Sequence, residues 1–417
     1  MNDRSFDARI TAWLIDEAPD QLPDRVLRAT FEQTRGRRQH GGLAGFRRVP
    51  RVLRRRWLLV AIALLALLAG TLLVVGSRRA PPLLTIGRNG VIAYDKDWHI
   101  FTQAADGSGR TQLTDRTNDF WPEWSPDGAK VAFYRSPDTS DAFRDLSVWV
   151  MKADGSGAVN VIGNTTLNIE DGWRLAWSPG STELAFASTL DLASVVYVAR
   201  ADGSAVRQIM HPSHAISAPA WSPDGKTLAV RAGRYSDERG IYLVGSDGSG
   251  LRKLTTQTHQ FNGYSVPAWS PDGAKLLFYS GSSGAQDVWI IGSDGRDEHQ
   301  LMDTPFPLDE IWPAWSPDGS RIAYLRLDHA AGSGTVFVMN ADGSQPHPVS
   351  PPTADGPVEW SPDGTRVMAR LCPAATPGCG SDDIWNIVAL DPGRIAEPQI
   401  LSSDRGIGLL SWQRLPP

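Results

Sequence analysis

Six Trp-Ser pairs and a final Ser-Trp pair recur along the chain at nearly regular intervals, and this repeat constrains the fold more than any other feature. The tryptophans are Trp124, Trp177, Trp221, Trp269, Trp315, Trp360 and Trp412. Successive tryptophans are separated by 53, 44, 48, 46, 45 and 52 residues. A unit of this size cannot bury its own apolar surface, so neighbouring units must stack. The sequence therefore predicts a repeat array.

Each repeat has the pattern of four short strands joined by tight turns. In the unit that begins at Trp269, a Pro-Asp-Gly turn at 271–273 leads to the apolar run 276–279, and a second run at 288–291 is followed by Asp-Gly at 294–295. Asp-Gly between apolar runs favours a hairpin, because glycine accepts a positive φ without steric cost. No helical period of 3.6 residues runs through the unit, which favours a propeller blade over a helical repeat.

The two ends of the array predict how the ring closes. The strand-like run at 91–94 has no Trp-Ser strand before it, and Trp412 has no turn after it. We therefore expect the stretch 409–412 to supply the missing strand of the first blade, which leaves no open edge. The prediction is an all-β, seven-bladed propeller, with six blades as the alternative if one unit is degenerate. The weakest unit is the third, where the turn reads Ser-Pro-Gly-Ser at 178–181.

The repeated phrase resembles a known repeat. Trp-Ser-Pro-Asp-Gly, an Ile-Ala-Phe-like strand and an Ala-Asp-Gly-Ser turn are similar to the TolB-like, WD40-like (PD40) propeller repeat, over about residues 86 to 414. The resemblance implies a propeller and no particular reaction. TolB proteins also have an α/β domain with no counterpart in this sequence, so their envelope-complex partners are not implied.

The segment before the repeats predicts a membrane anchor. Residues 57–76 are twenty consecutive uncharged positions, enough to span a hydrocarbon core of about 30 Å. A cleaved signal peptide has a shorter apolar core and a shorter leader. Six arginines precede this span closely and two follow it, which places the N-terminus in the cytoplasm and the propeller outside a bacterial cell membrane. We attribute the arginines to topology and anionic lipid rather than to nucleic-acid binding.

The predicted division of the chain has four parts. These are a basic cytoplasmic segment at 1–56, a transmembrane helix at 57–76, a linker at 77–86 and the propeller at 87–417. The first segment contains 13 arginines and 7 acidic residues in a chain whose net charge is −5. It is too short and too charged to form a core, so it is disordered or forms short helices that dock on a cytoplasmic partner. This layout resembles that of transmembrane anti-sigma regulators, although the His-Cys-Cys zinc motif that many of them carry is missing.

The sequence gives little sign of catalysis. It has no Gly-x-Ser-x-Gly elbow, P-loop or His-Glu-x-x-His motif, and we expect no cofactor. His211 and His214 lie close together without further ligands, which is more typical of a loop than of a metal site. Cys372 and Cys379 are the two cysteines. In an oxidising compartment this pair predicts a disulfide, whereas in the cytosol it would indicate a metal or redox site.

The candidate ligand site is the channel mouth on the face opposite the tight turns, where longer loops connect the blades. Its candidate residues are carboxylates and aromatic side chains: Asp119, Trp121, Glu123, Glu170, Asp171, Trp173, Tyr264, Asp309, Glu310, Trp312, Asp355 and Glu359. They suggest an acidic, aromatic-rimmed mouth for a cation, a basic peptide or a carbohydrate. The alternative interpretation is a set of solvated loops whose aromatic residues pack the blades.

Glu123 and Glu359 stand out because most units have alanine before the tryptophan. That position faces the neighbouring blade, where an unpaired charge is costly. The sequence thus favours a non-enzymatic module that binds a protein, peptide or other ligand outside the membrane. Two alternatives stay open: a transmembrane signalling protein that acts on a cytoplasmic partner such as a sigma factor, and a carbohydrate-active propeller enzyme.

Overall fold

The computed structural model describes most of the chain from residue 87 onwards. The described residues are 87–415 without 116–117, 138–144, 164, 166, 168–173, 191–192, 211–218, 233–238, 257–258, 260–264, 283–284, 373–383, 396–397 and 406–409. Among them, no helix has the length and hydropathy of a membrane span. The predicted cytoplasmic segment, transmembrane helix and linker at 1–86 lie outside the described residues.

The described residues form seven four-stranded antiparallel sheets, each of which is one blade. The first fourteen strands are β1 Arg88–Lys96, β2 His99–Ala104, β3 Thr111–Gln112, β4 Asp119–Trp124, β5 Lys130–Arg135, β6 Ser147–Lys152, β7 Val159–Asn160, β8 Ala176–Trp177, β9 Glu183–Leu190, β10 Ala193–Arg200, β11 Val206–Met210, β12 Ala220–Trp221, β13 Thr227–Ala232 and β14 Gly240–Gly245. The other fourteen are β15 Arg252–Lys253, β16 Ala268–Trp269, β17 Lys275–Ser282, β18 Ala285–Gly292, β19 His299–Gln300, β20 Leu308–Trp315, β21 Arg321–Asp328, β22 Ser333–Asn340, β23 His347–Pro348, β24 Ala354–Trp360, β25 Val367–Leu371, β26 Ile384–Leu390, β27 Gln399–Arg405 and β28 Leu410–Leu415.

The blades follow the chain in order, and the first one closes the ring. Blade 1 has the order β28-β1-β2-β3, and blades 2 to 7 begin with β4, β8, β12, β16, β20 and β24. In blade 1, β28 runs antiparallel to β1, with Trp412 opposite Ile92 and Leu410 opposite Tyr94. The Gln413 side chain accepts a hydrogen bond from the Val91 amide at 3.1 Å and bridges a bulge in this pairing. The prediction of seven blades closed by the C-terminal strand is confirmed, and the six-bladed alternative is wrong.

The hydrophobic core lies between blades rather than within them. Second strands such as β5 are buried on both faces, and Val131, Phe133 and Tyr134 have no exposed surface. One cluster joins Ile92 and Tyr94 of blade 1 to Met368 of blade 7. A strand that packs on both faces needs a continuous apolar run, which explains the Val-Ala-Phe-Tyr pattern of these strands. Each blade therefore depends on its neighbours for burial.

The repeated aspartates stabilise turns. Asp127 accepts hydrogen bonds from the Ser125 hydroxyl at 2.6 Å and from the Ala129 amide at 3.0 Å, while Gly128 has a φ of +68°. In the third unit, Ser181 occupies the glycine position with a φ of +56°. A non-glycine residue is strained at a positive φ, so this turn keeps its backbone conformation at a cost in free energy. The inner hairpins of blades 2 to 7 thus have the same backbone shape.

Candidate functional site

The inner strands of the blades surround a channel with a cavity of about 900 Å³. Its wall is formed by the tryptophan of the repeat from six blades and by prolines that flank it, including Pro126, Pro271 and Pro362. This volume falls within the usual range for ligand pockets. The channel is the candidate site because it is open, apolar for much of its wall and built by the rigid inner strands.

The indole N–H groups of the repeat form a ring of hydrogen bonds around the channel. At five of the seven contacts between neighbouring blades, Nε1 donates to the backbone carbonyl of the residue before the preceding blade's tryptophan. These bonds are Trp177 to Glu123 at 3.0 Å, Trp221 to Ala176 at 3.0 Å, Trp269 to Ala220 at 3.1 Å, Trp315 to Ala268 at 3.2 Å and Trp360 to Ala314 at 3.1 Å. Each such bond stabilises the ring by about 1 kcal/mol. We call these contacts the five carbonyl seams.

The two seams on either side of β28 have a different chemistry. The Trp412 backbone amide donates to Oε1 of Glu359 at 3.0 Å, and the Trp124 backbone amide donates to the Ser411 hydroxyl at 3.0 Å. Nε1 of Trp412 and Nε1 of Trp124 are buried and have no hydrogen-bond partner among the described residues. We call these contacts, between blades 7 and 1 and between blades 1 and 2, the two side-chain seams.

Three charged groups meet at the side-chain seams. Arg174 Nε lies 3.5 Å from Glu123 Oε1. Burial raises the pKa of Glu123, an effect opposed by the Arg174 charge and by the Ser411 hydroxyl. Burial also raises the pKa of Glu359 to about 7; the charge of Glu123 adds to this rise, and Arg174 opposes it. Oε2 of Glu359 is buried without a hydrogen-bond partner among the described residues. Two carboxyl groups therefore share one arginine.

Two tryptophans are turned towards the channel by bulges in long inner strands. Trp121 in β4 has a φ of +52°, and Trp312 in β20 has a φ of +53°. In each strand the pairing register shifts at this point, and a proline follows the tryptophan. A bulge adds a residue and re-aims the neighbouring side chain. As a result both indoles line the channel.

A further ion pair lies on the channel wall in blade 7. The guanidinium of Arg370 is 3.1 Å from the carboxylate of Asp355, and the two residues are directly opposite on β25 and β24. The next residue, Gly356, has a φ of +82°, and a Cβ atom there would lie 3.2 Å from the Arg370 guanidinium. Glycine thus lets the backbone pass close to this pair.

Three predicted carboxylates are buried away from the channel wall. Asp119 forms a two-pronged ion pair with Arg135 at 2.5 and 2.8 Å, Glu310 pairs with Arg326 at 2.8 Å, and Asp309 accepts a hydrogen bond from His329 at 2.7 Å. Burial raises the pKa of Glu310 to about 7, although Thr304 and Arg326 oppose the rise. These carboxylates form ion pairs and hydrogen bonds near the starts of β4 and β20. We do not assign them to the ligand-binding surface.

The structure thus brings together five of the predicted site residues: Trp121, Glu123, Trp312, Asp355 and Glu359. Glu170, Asp171, Trp173 and Tyr264 lie outside the described residues. Cys372 is disulfide-bonded, and its predicted partner Cys379 also lies outside them. No group of three or more His, Cys, Asp or Glu side chains that could hold a metal ion occurs within the described part of the chain.

Three arginines of the channel wall were not among the residues predicted from the sequence: Arg174, Arg370 and Arg414. A spacing signal was present for one of them. Arg370 follows Asp355 by 15 residues, while the equivalent pairs Asp119–Arg135 and Glu310–Arg326 are each separated by 16. Because the carboxylate lies near the start of the first strand of a blade and the arginine near the end of the second, this spacing predicts a cross-strand ion pair.

Comparisons with known proteins agree with this architecture. Residues 141–301 match the family described as the TolB beta propeller domain (PD40). A protein TolB homolog from Chlorobium luteolum is 29% identical over 145 residues, which cover 34% of this chain and 31% of that protein. An uncharacterized peptidase, YuxL, from Bacillus subtilis is 26% identical over 112 residues, which cover 26% of this chain and 16% of that protein. Both matches span less than two thirds of the relative.

Among solved structures, the β-propeller domain of the Trilobed protease from Pyrococcus furiosus superimposes with a TM-score of 0.52 and 13% identity. The match covers 74% of this chain and 88% of that one, and at this identity it shows the fold alone. That domain is described as having an open velcro topology, whereas β28 closes the ring here. The chain thus carries a seven-bladed β-propeller, of which residues 141–301 match the TolB beta propeller domain.

Proposed function

We propose that this chain is a non-enzymatic, membrane-anchored binding module that holds a protein or peptide segment in its propeller channel outside the bacterial membrane. The channel wall carries the proposal, because it combines a ring of tryptophan and proline with a few charged groups. Aromatic-lined, rigid grooves suit extended peptides, whose backbone loses little freedom on binding. The TolB homolog among the relatives supports an extracytoplasmic location, and the uncharged stretch at 57–76 supports an anchor.

The aromatic residues of the mouth give the proposal its energetic basis. Trp312 is partly exposed and lines the channel, and Trp121 lines it from the blade 2 side. Both indoles are fixed by their bulged backbone, so a ligand gains contact area without ordering a flexible side chain. Rigid aromatic side chains at the centre of an interface contribute most of its affinity. A bound segment would therefore depend on these two residues.

The test uses linear peptides selected from a displayed library against the full-length protein. Trp312→Ala should weaken binding of a selected peptide by about tenfold or more, which corresponds to about 1.4 kcal/mol or more. Phe306→Ala is the matched control, since Phe306 precedes the same strand and is 74% exposed but does not line the channel. Affinities are measured by calorimetry, alongside thermal unfolding of both variants.

Equal affinities for the wild type and Trp312→Ala would refute the channel as the binding site. The peptidase name of one relative motivates a second readout. The selected peptide is recovered after incubation and examined by mass spectrometry. Recovery of the intact peptide is expected, whereas cleavage that survives repurification and is lost in Trp312→Ala would make the protein an enzyme.

A further inference from the structure

The channel wall has two chemically different halves. The described charged side chains on it come from blades 7, 1 and 2 and from the start of blade 3; they are Asp355, Glu359, Arg370, Arg414, Glu123 and Arg174. The described lining residues of blades 4, 5 and 6 are alanine, valine, proline, tryptophan, one tyrosine and one serine. A ligand in this channel therefore meets a charged arc on one side and an apolar arc on the other.

Within the charged arc, three carboxylates and three arginines are equal in number, but the carboxylates differ in how they are paired. Asp355 and Arg370 form their own pair at 3.1 Å. Glu123 and Glu359 share Arg174, which lies 3.5 Å from Glu123. Oε1 of Glu359 accepts the Trp412 amide, while its Oε2 has no partner among the described residues. The group that is missing next to Glu359 is a cationic hydrogen-bond donor.

A second unsatisfied atom lies in the same seam. Trp412 lines the channel, is only 5% exposed, and its Nε1 has no acceptor among the described residues. At the five carbonyl seams the same atom always has an acceptor. A buried polar atom without a partner costs about 1–3 kcal/mol. A ligand that brings an acceptor to this seam together with a cationic donor would satisfy both atoms.

We propose that the channel selects an extended peptide segment that carries a lysine or arginine on the side facing Glu123 and Glu359 and apolar side chains on the side facing blades 4 to 6. This inference rests on the proposed function and specifies its ligand. An extended chain presents alternate side chains to opposite sides, as the two arcs require. Its backbone carbonyl groups also provide acceptors next to the basic side chain.

The unpaired atoms lie just beneath the wall, so binding includes a small movement of the seam. Glu359 is itself partly exposed to the channel. A small rotation of its carboxyl group presents Oε2 to the cationic side chain of the ligand, and the incoming backbone carbonyl accepts a hydrogen bond from Nε1 of Trp412. The charges that act on the pKa of Glu359 are Glu123 from β4 and Arg174 from before β8. Asp355 from β24, Arg370 from β25 and Arg414 from β28 line the same channel.

The experiment uses three synthetic peptides, acetylated and amidated at their ends, that differ at one central position among prolines and valines. That position is lysine, glutamine or glutamate. The lysine peptide should bind the full-length protein at least about tenfold more tightly than the glutamine peptide, and the glutamate peptide more weakly than both. Glu359→Gln and Glu123→Gln should each reduce the preference for lysine. Glu183→Gln, which removes a carboxylate outside the channel wall, should not change it.

The pH dependence adds a readout that a purely structural role of Glu359 would not produce. A bound cation favours the charged carboxylate, so affinity for the lysine peptide should rise as the pH rises through about 7, the pKa of Glu359. This dependence should vanish in Glu359→Gln. Equal binding of all three peptides would overturn the inference while supporting the proposed function. Binding of none of the three peptides would overturn both the inference and the proposed function. A preference for the glutamate peptide would overturn the inference, because the channel would then select an anionic side chain.

Discussion

The seven contacts between blades divide into two kinds, although the repeat that makes them is nearly uniform. At the five carbonyl seams, the indole of one blade donates to the backbone of the blade before it. At the two side-chain seams, the inner strands are joined through Glu359 and Ser411 instead, and Nε1 of Trp412 and of Trp124 has no hydrogen-bond partner in the described part of the chain. The difference coincides with the strand that closes the ring.

The side chain before the repeat tryptophan can change the chemistry of a seam, but glutamate alone is not sufficient, because the Glu123 carbonyl still accepts the Trp177 indole. Residue 314 is alanine, and its side chain is too short to reach the next blade, so the indole of Trp360 reaches its carbonyl. Residue 359 is glutamate, whose side chain enters the seam and takes the Trp412 amide. A backbone carbonyl is available as an acceptor whatever the sequence, whereas the protonation of a carboxyl acceptor changes with pH. The closing strand β28 is thus held in part by the Glu359 carboxyl group, whose protonation changes with pH.

Removal of the closing strand should have the largest effect. Deletion of residues 410–417 removes β28, which exposes Ile92 and Tyr94 and loses the burial of Leu410 and Trp412. Burial of a large apolar side chain contributes about 1.5–3 kcal/mol, so the loss approaches the stability of a typical domain. Thermal unfolding followed by circular dichroism should become broad or begin at a much lower temperature.

A shorter deletion serves as the control, because it separates the effect of losing β28 from the effect of shortening the chain. Removal of Pro416 and Pro417 alone, which follow β28 in the sequence, should leave the unfolding temperature within a degree or two of that of the full chain. If the longer deletion also unfolds like the intact protein, the ring does not depend on β28. The distinction between the two kinds of seam would then have no consequence for stability.

The pH dependence of stability should separate the two kinds of seam next. Glu359 has an ordinary pKa of 4.5 when exposed and a pKa of about 7 in the folded protein. The folded state therefore keeps a proton that the unfolded state has released, and stability falls as the pH rises from about 4.5 to 7. The loss due to this group is on the order of 2 kcal/mol. Glu359→Gln keeps an acceptor for the Trp412 amide and should flatten the decline in denaturant unfolding experiments.

The control for this change is Glu183→Gln, since Glu183 pairs with Arg207 at the surface of blade 3 and away from both side-chain seams. It should leave the slope of stability against pH as it is in the wild type. Some decline will persist in Glu359→Gln, because burial also raises the pKa of Glu310 to about 7. A Glu359→Gln variant that declines as steeply as the wild type would show that Glu359 does not hold a proton in the seam.

Much of this architecture could be predicted from the sequence, because the repeat is local. Asp-Gly and Pro-Asp-Gly fix turns within a few residues, and the unpaired run at 91–94 with Trp412 required a closing strand. Even the degenerate turn at Ser181 keeps the glycine-like backbone. Such turns depend on neighbours in the chain, and they recur from blade to blade.

The site was harder to predict, because its residues meet only across blades. Asp119 and Glu310 are in loop-like, acidic stretches, yet Arg135 and Arg326 lie opposite them and bury them in ion pairs. The sequence singled out Glu359 as an exception, but not Arg174, whose charge acts on the pKa of Glu359 from three blades along the ring. Composition along the chain could not show that the charged wall residues lie on one arc.

The smallest expected effect compares one tryptophan from each kind of seam. Trp221→Phe removes the hydrogen bond to the Ala176 carbonyl, whereas Trp412→Phe removes an Nε1 that has no partner among the described residues. Both residues are more than nine-tenths buried, so the lost apolar contact is similar. The free energy of unfolding should therefore fall by about 1 kcal/mol more for Trp221→Phe. Equal losses would mean that the indole bonds do not distinguish the seams.

A double-mutant cycle sharpens the same comparison. Glu359→Ala gives the last blade the alanine of the carbonyl seams, so the Trp412 indole can turn to the carbonyl of residue 359. In that background, Trp412→Phe should cost about 1 kcal/mol more than it does in the wild type. No coupling between the two substitutions would place the difference in the strand spacing around β28 rather than in the side chain at 359. The cycle thus decides whether a single residue or the ring closure itself sets the chemistry of the seam.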